Sequence, residues 1–193
     1  MQLAVKVMCG SIAEKRKDGK VNPKVGAVLV FPDGSVETAY RGELRDGDHA
    51  EFTLIERKCV NKDLKNAVLF STLEPCVQRN PPKRGCCRHV SGARIKRVYV
   101  GIEDPDPTVA GEGIRYMEEH GVEVTMFDRE FQKQIEEEND EFLKQANHRA
   151  KIAKKEIKES AFKQAVPRTA FNEFSEEALG KFISEAKLKY GIK

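Results

Sequence analysis

Three separated segments carry side chains of the kinds that hold zinc: His49-Ala50-Glu51, Thr72-Leu73-Glu74-Pro75-Cys76 and the doublet Cys86-Cys87. One imidazole and two thiolates supply three protein ligands and leave the fourth tetrahedral position to water. Zinc lowers the pKa of such a water toward neutrality, so a nucleophile is available at physiological pH. Glu51 lies two residues from the histidine and can carry the proton that the water gives up. A purely structural zinc would need a fourth protein ligand, for which Cys87 and His89 are the near candidates. That arrangement leaves Glu51 without a task, so the pattern favours a catalytic Zn²⁺ at His49, Cys76 and Cys86.

Helical periodicity chooses within the doublet. In a helix that starts near Cys86, residues three and four apart share a face. Cys86 then aligns with the apolar Val90 and Ala93, whereas Cys87 aligns with Ser91 and Arg94. Neighbouring helical positions point about 100° apart, so one metal takes one of the two. Cys86 is the expected ligand, and the positive end of the helix dipole there favours its thiolate.

These residues need a frame. Apolar positions at Leu3, Val7, Ile12 and Ala13 predict an opening helix from about Gln2 to Lys17. Val25 to Phe31 is a continuous apolar run of strand length and β-branched character. Pro32-Asp33-Gly34 is turn chemistry, which returns Val36 to Arg41 as a hairpin partner. A helix from His49 to about Lys58 follows, burying Phe52, Leu54 and Ile55. Strands are expected at Ala67–Thr72, Arg97–Ile102 and Val122–Phe127, with helices from Cys86 and over Gly111–His120. The last helix and its flanking strands make a βαβ unit with parallel strands. The sum is an α/β fold, a three-layer α/β/α sandwich around a five-stranded mixed sheet, over residues 1–127.

Beyond Asp128 the composition shifts. Phe131, Ile135, Phe142 and Ala146 mark a long Glu-, Lys- and Gln-rich helix running to about Ser160, with Lys151 to Lys158 as a solvated face. After Pro167, Ser175 to Lys189 reads as a second helix with a serine cap. Residues 128–193 are therefore expected to be a helical extension or linker, serving a domain after residue 193 or a dimerisation arm.

The chain has 193 residues, 34% of them charged, and a net charge of only +3, which is no nucleic-acid-binding field. Five cysteines, an odd number, argue against a disulfide framework. No stretch approaches the roughly 20 apolar residues of a membrane span, and no signal peptide is visible at the N-terminus. A cytoplasmic protein without membrane contact is expected.

With these motifs in view, the chain resembles the zinc-dependent cytidine deaminase superfamily, whose members carry His-x-Glu followed by Pro-Cys and a second cysteine. Within it the chain looks most like the deaminase domain of bacterial riboflavin biosynthesis, the RibD type. The matching segments are Val21-Asn22-Pro23-Lys24-Val25-Gly26-Ala27-Val28-Leu29-Val30, His49-Ala50-Glu51, Thr72-Leu73-Glu74-Pro75-Cys76, Pro81-Pro82 and Asp104-Pro105-Asp106-Pro107 with Val109-Ala110-Gly111. The resemblance covers roughly residues 1–127 and implies zinc at His49, Cys76 and Cys86 with Glu51 as proton shuttle. It further implies Asn22 against the base or ribose and the Asp104–Asp106 loop on the ribose side. Backbone groups around Glu74 to Cys76 are expected to orient the exocyclic amine. A homodimer is a family-level expectation.

Departures fall on positions that meet substrate in that family. Gly42-Glu43-Leu44-Arg45 stands where a histidine usually precedes the HAE motif, and Val77-Gln78 stands in place of Ser-His. No reductase domain follows within the chain. Arg79, Lys83 and Arg84, in the loop between the cysteines, are candidates for a substrate phosphate, since guanidinium forks suit phosphate oxygens. The expected activity is hydrolysis at a cyclic amidine C–N bond of an amino-substituted pyrimidine or related nucleotide. The rivals are a polynucleotide-editing deaminase, disfavoured by the absence of tryptophan and by 7% aromatic content, and a zinc- or ligand-binding module without catalysis.

Overall fold

A computed structural model describes residues 1–79, 82–105 and 110–165, with Ser184, and side chains through residue 152. It divides into two compact units, Met1–Ala146 and Asn147–Lys193. In chain order the first contains α1 (Gln2–Met8), β1 (Gly26–Val30), β2 (Val36–Tyr40), α2 (Ala50–Thr53, continued as a π-helical turn Leu54–Lys58), β3 (Val68–Leu73) and α3 (Cys86–Gly92). β4 (Arg97–Ile102), α4 (Glu112–Glu119), β5 (Glu123–Met126), α5 (Arg129–Glu138) and α6 (Asp140–Ala165) follow.

The sheet runs β2-β1-β3-β4-β5. β1 pairs antiparallel with both β2 and β3, while β3–β4 and β4–β5 are parallel, as crossovers through α3 and α4 require. α1 and α5 pack on one another and on the central strands, and α2, α3 and α4 pack together on the sheet, which makes the three layers expected of the fold. The unbroken apolar run of β1 follows from its place: Ala27, Val28 and Leu29 are buried between two neighbours and two helical layers. The hairpin turn is closed by Asp33, whose Oδ1 accepts from the Ser35 N–H at 2.8 Å.

α1 is shorter than the 2–17 helix expected, and its buried face is Ala4, Val5 and Met8; Leu3, Ile12 and Ala13 are exposed. Its end is set by a tertiary contact: the Ser11 hydroxyl donates to Val25 O and accepts the Val25 N–H, pinning the chain to the start of β1. A Cβ on Gly26 would collide with the α1 backbone at Ala4 and Met8, so a glycine there lets helix and strand touch.

The helix expected from residue 128 onward is broken at Asn139. Its Oδ1 accepts the Lys24 N–H at 2.7 Å, and its Nδ2 donates to Lys24 O and Ile135 O. Those bonds replace helical continuity, because an amide that serves a neighbouring backbone competes with the helix's own ladder. Ile135, Phe142 and Ala146 are buried, so α5 and the start of α6 complete the core beyond the sheet's end at Met126. Of the second unit, the helical run to Ala165 and the exposed Lys151 and Ile152 are described; the expected 175–189 helix lies, save Ser184, outside the described residues. No helix among the described residues is long and apolar enough to cross a membrane.

Candidate active site

α2 begins immediately after His49, whose backbone is extended, so the imidazole stands at the helix mouth and Glu51 falls in the first turn. β3 ends at Leu73, and Glu74-Pro75-Cys76 leaves the sheet at the carboxyl end of its parallel strands, where α/β folds place ligands. α3 begins at Cys86. These three starts and ends converge. His49 Nδ1 lies 3.5 Å from Cys76 Sγ and 3.5 Å from Cys86 Sγ. Among the described residues, these three form the group whose ligand atoms all lie within 4.8 Å of one another; neither Cys87 nor His89 joins it.

The spacing suits zinc. Nitrogen at about 2.0–2.1 Å and sulfur at about 2.3 Å from a tetrahedral ion are separated by about 3.5 Å. The Cys86 backbone N–H points at Cys76 Sγ from 3.5 Å, a donor suited to a thiolate. The Cys86 thiol and the imidazole beside Cys76 hold its pKa well below the usual thiol range. Hydrogen bonding to Cys76 and burial push the Cys86 thiol up in turn. The two alternatives for a fourth protein ligand are engaged elsewhere. Cys87 belongs to the main apolar core, where burial raises its thiol to about 12. His89 Nδ1 lies 2.6 Å from Glu56 Oε1, and its ring meets Phe52 edge-on.

Glu51 is 3% exposed. Burial pushes its carboxyl up, the Cys76 thiolate adds to the rise, and His49 opposes it. Ser71, on the inward face of β3, sits 3.4 Å from Glu51 Oε1 and donates to Leu73 O at 2.8 Å. The nearer carbonyl takes the single hydroxyl proton, and Ser71 Oγ remains a polar neighbour of the Glu51 carboxyl. Nothing in the sequence marked Ser71 beyond its place just before Thr72.

Glu74 is buried, and its carboxylate binds backbone. It accepts the N–H groups of Asp104 (3.2 Å), Gly111 (3.0 Å), Gly113 (2.7 Å) and Ile114 (3.2 Å). Burial raises its pKa and those four donors oppose the rise. A carboxylate at the start of α4 satisfies donors that the helix cannot and faces its positive end. A Cβ on Gly113 would run into Pro75 O, so the same contact requires glycine in α4. Asp104 is thereby attached through its backbone; Asp106 lies outside the described residues.

Asn22 is removed from the sulfur cluster in its bonding. Its Nδ2 donates to Glu14 O at 3.1 Å, and its Oδ1 receives Arg16 and Arg41 at 3.4 Å each. Arg41 is itself buried and paired with Glu14. Arg79 faces inward, donating to Gly47 O and Asp48 Oδ1 with its guanidinium over Phe52. Lys83 is exposed on the loop that Gln78 and Arg84 close by a β-bridge.

The cytidine and deoxycytidylate deaminase zinc-binding region matches residues 1–102 of this chain. The chain belongs to that family. It is similar to the riboflavin biosynthesis protein RibD of Bacillus amyloliquefaciens, 39% identical over 115 residues, which is 57% of this chain and 29% of that protein. A diaminohydroxyphosphoribosylamino-pyrimidine deaminase of Schizosaccharomyces pombe is 33% identical over 103 residues, 52% of this chain and 25% of the relative. Among solved structures, a diaminohydroxyphosphoribosylaminopyrimidine deaminase/5-amino-6-(5-phosphoribosylamino)uracil reductase of Thermotoga maritima shares the fold with a TM-score of 0.64 and 26% identity, over 77% of this chain and 40% of that one. The matched region thus spans under a third of the length of these curated relatives. The family's zinc-binding description and the donor set of His49, Cys76 and Cys86 agree on the cofactor.

Proposed function

We propose that this chain is a zinc-dependent hydrolytic deaminase of an amino-substituted pyrimidine carried on a nucleotide-like substrate. The observation that carries the reading is the buried Glu51 carboxyl beside three ligand atoms arranged for an ion with an open position. His49 Nδ1, Cys76 Sγ and Cys86 Sγ would hold the zinc, and zinc makes water acidic enough to react near neutral pH. Glu51 takes a proton from the water whose oxygen bonds to the ring carbon bearing the amine. It returns that proton to the adjacent ring nitrogen, then carries another to the departing amine. The C–N bond breaks, ammonia leaves and a ring carbonyl remains. A raised Glu51 pKa suits both duties, because a carboxyl matched closer to the working pH gives and takes protons with less penalty.

RibD and the fission-yeast pyrimidine deaminase in the comparisons point to a phosphoribosylamino-pyrimidine as the substrate class. Gly42-Glu43-Leu44-Arg45 and Val77-Gln78 depart from the RibD pattern, so the pyrimidine itself is the variable to test. Ammonia release is measured from the zinc-loaded chain with diaminohydroxyphosphoribosylaminopyrimidine, cytidine and adenosine compounds. Turnover of a pyrimidine is expected, and Glu51→Gln should lower it about 10²- to 10⁴-fold. Ligand binding without ammonia from any compound contradicts the reading.

A further inference from the structure

The metal site has two halves. On one side, the Cys86 N–H donates to Cys76 Sγ and the Cys87 N–H to Cys76 O, so the two sulfurs are tied to each other. On the other stands His49 at the mouth of α2. Between them lies an ion pair. Asp48 immediately precedes His49, and Arg79 follows Cys76 by three residues. Arg79 Nη2 donates to Gly47 O at 3.1 Å and to Asp48 Oδ1 at 3.4 Å. Its guanidinium lies 4.7 Å from the centroid of Phe52, a ring that packs against Cys76 and Cys86. Both side chains of the pair are nearly sealed from solvent, at 4% and 3% exposure.

A buried ion pair is a poor source of net stability, since desolvation offsets its attraction. Its value lies in geometry: one guanidinium nitrogen is shared by a carbonyl and a carboxylate while the planar group lies over a ring face. We infer that Asp48 and Arg79 are positioning residues of the metal site, a latch that clamps the sulfur-bearing loop onto the chain entering His49. This inference rests on the zinc reading above. Arg57 supplies an internal control. It meets the same Asp48, at 3.2 Å, and the same Phe52 ring, yet it is partly exposed and belongs to the far end of α2.

The test uses the full chain and reads zinc affinity by competition with a chromophoric chelator, and ligand geometry by the visible absorption of the cobalt(II)-substituted protein. Arg79→Met leaves Asp48 paired with Arg57 and is expected to weaken zinc binding about 10- to 100-fold, the usual scale for a group that orients a ligand. Its cobalt bands should shift. Arg79→Lys keeps the buried charge but not the planar group over Phe52, so it too should lose affinity, by less. Arg57→Met should match wild type in both readouts. Circular dichroism identifies any variant that fails to fold, in which case Arg79→Lys carries the comparison. Wild-type affinity and cobalt spectrum in the folded Arg79 variants overturn the latch, as does an equal loss in Arg57→Met. A wild-type chain that binds no zinc overturns instead the reading on which the latch rests.

Discussion

Ser71 Oγ stands 3.4 Å from Glu51 Oε1 while donating its own proton to Leu73 O. The strand below the site thus sets a hydroxyl beside a carboxyl whose pKa burial pushes up. That setting supports the proposal that Glu51 carries protons in the reaction.

Replacing Glu51 by Gln keeps volume and removes the titratable oxygen. Zinc content should stay at wild-type level while turnover of the best pyrimidine falls about 10²- to 10⁴-fold, the usual share of general acid–base catalysis. Metal analysis and ammonia release on the same preparation check it. Turnover that survives the change contradicts the role given to Glu51.

The cysteine doublet separates by function. Cys86 Sγ is 3.5 Å from His49 Nδ1, whereas Cys87 packs in the apolar core. Cys86→Ala should leave purified protein without zinc. Cys87→Ala should retain zinc and cost about 1 kcal/mol or less in urea denaturation, being a small truncation. The reverse metal contents would put the wrong thiol in the site.

Zinc binding should release a proton from the sulfur pair. Hydrogen bonding to Cys76 and burial raise the Cys86 thiol, whereas the Cys76 thiol is held low. Near neutral pH the first is protonated and the second ionised, and a metal accepts only thiolates. Apparent zinc affinity should therefore rise with pH, by about tenfold per unit for a single proton. Calorimetry in buffers of different ionisation enthalpy counts the protons; affinity independent of pH contradicts the arrangement.

Glu74 is expected to govern stability. Glu74→Ala would strand the N–H groups of Asp104, Gly111, Gly113 and Ile114. A buried donor without a partner costs about 1–3 kcal/mol, and water will reach some of the four, so a loss of about 3 kcal/mol is expected in urea unfolding of the zinc-loaded chain. A change within about 0.5 kcal/mol would mean that the carboxylate is dispensable.

Local chemistry made much of this legible. The β1 run, the Pro32-Asp33-Gly34 turn and the starts of α2 and α3 each follow from residues within a few positions of one another. The gathering of His49, Cys76 and Cys86 could be read because the three segments together, in this order, make a zinc-deaminase signature that none of them makes alone. What escaped depends on distant partners. The break at Asn139 is made by bonds to Lys24, 115 positions away. The end of α1 is set by the bond between Ser11 and Val25, and its buried face of Ala4, Val5 and Met8 is too small to dominate a periodicity that also counts Leu3 and Ile12. From sequence, Arg79 is a candidate phosphate contact and Glu74 belongs to a segment expected to orient the amine. Inside the fold each finds polar partners, and no local pattern announces that a charge will be buried and satisfied.

The most direct measurement is zinc K-edge X-ray absorption on the loaded full chain. Two sulfur scatterers at about 2.3 Å, one imidazole and one further light atom without an imidazole signature are expected. A third sulfur, a second imidazole, or protein that takes up no zinc would contradict an open, three-ligand site beside Glu51.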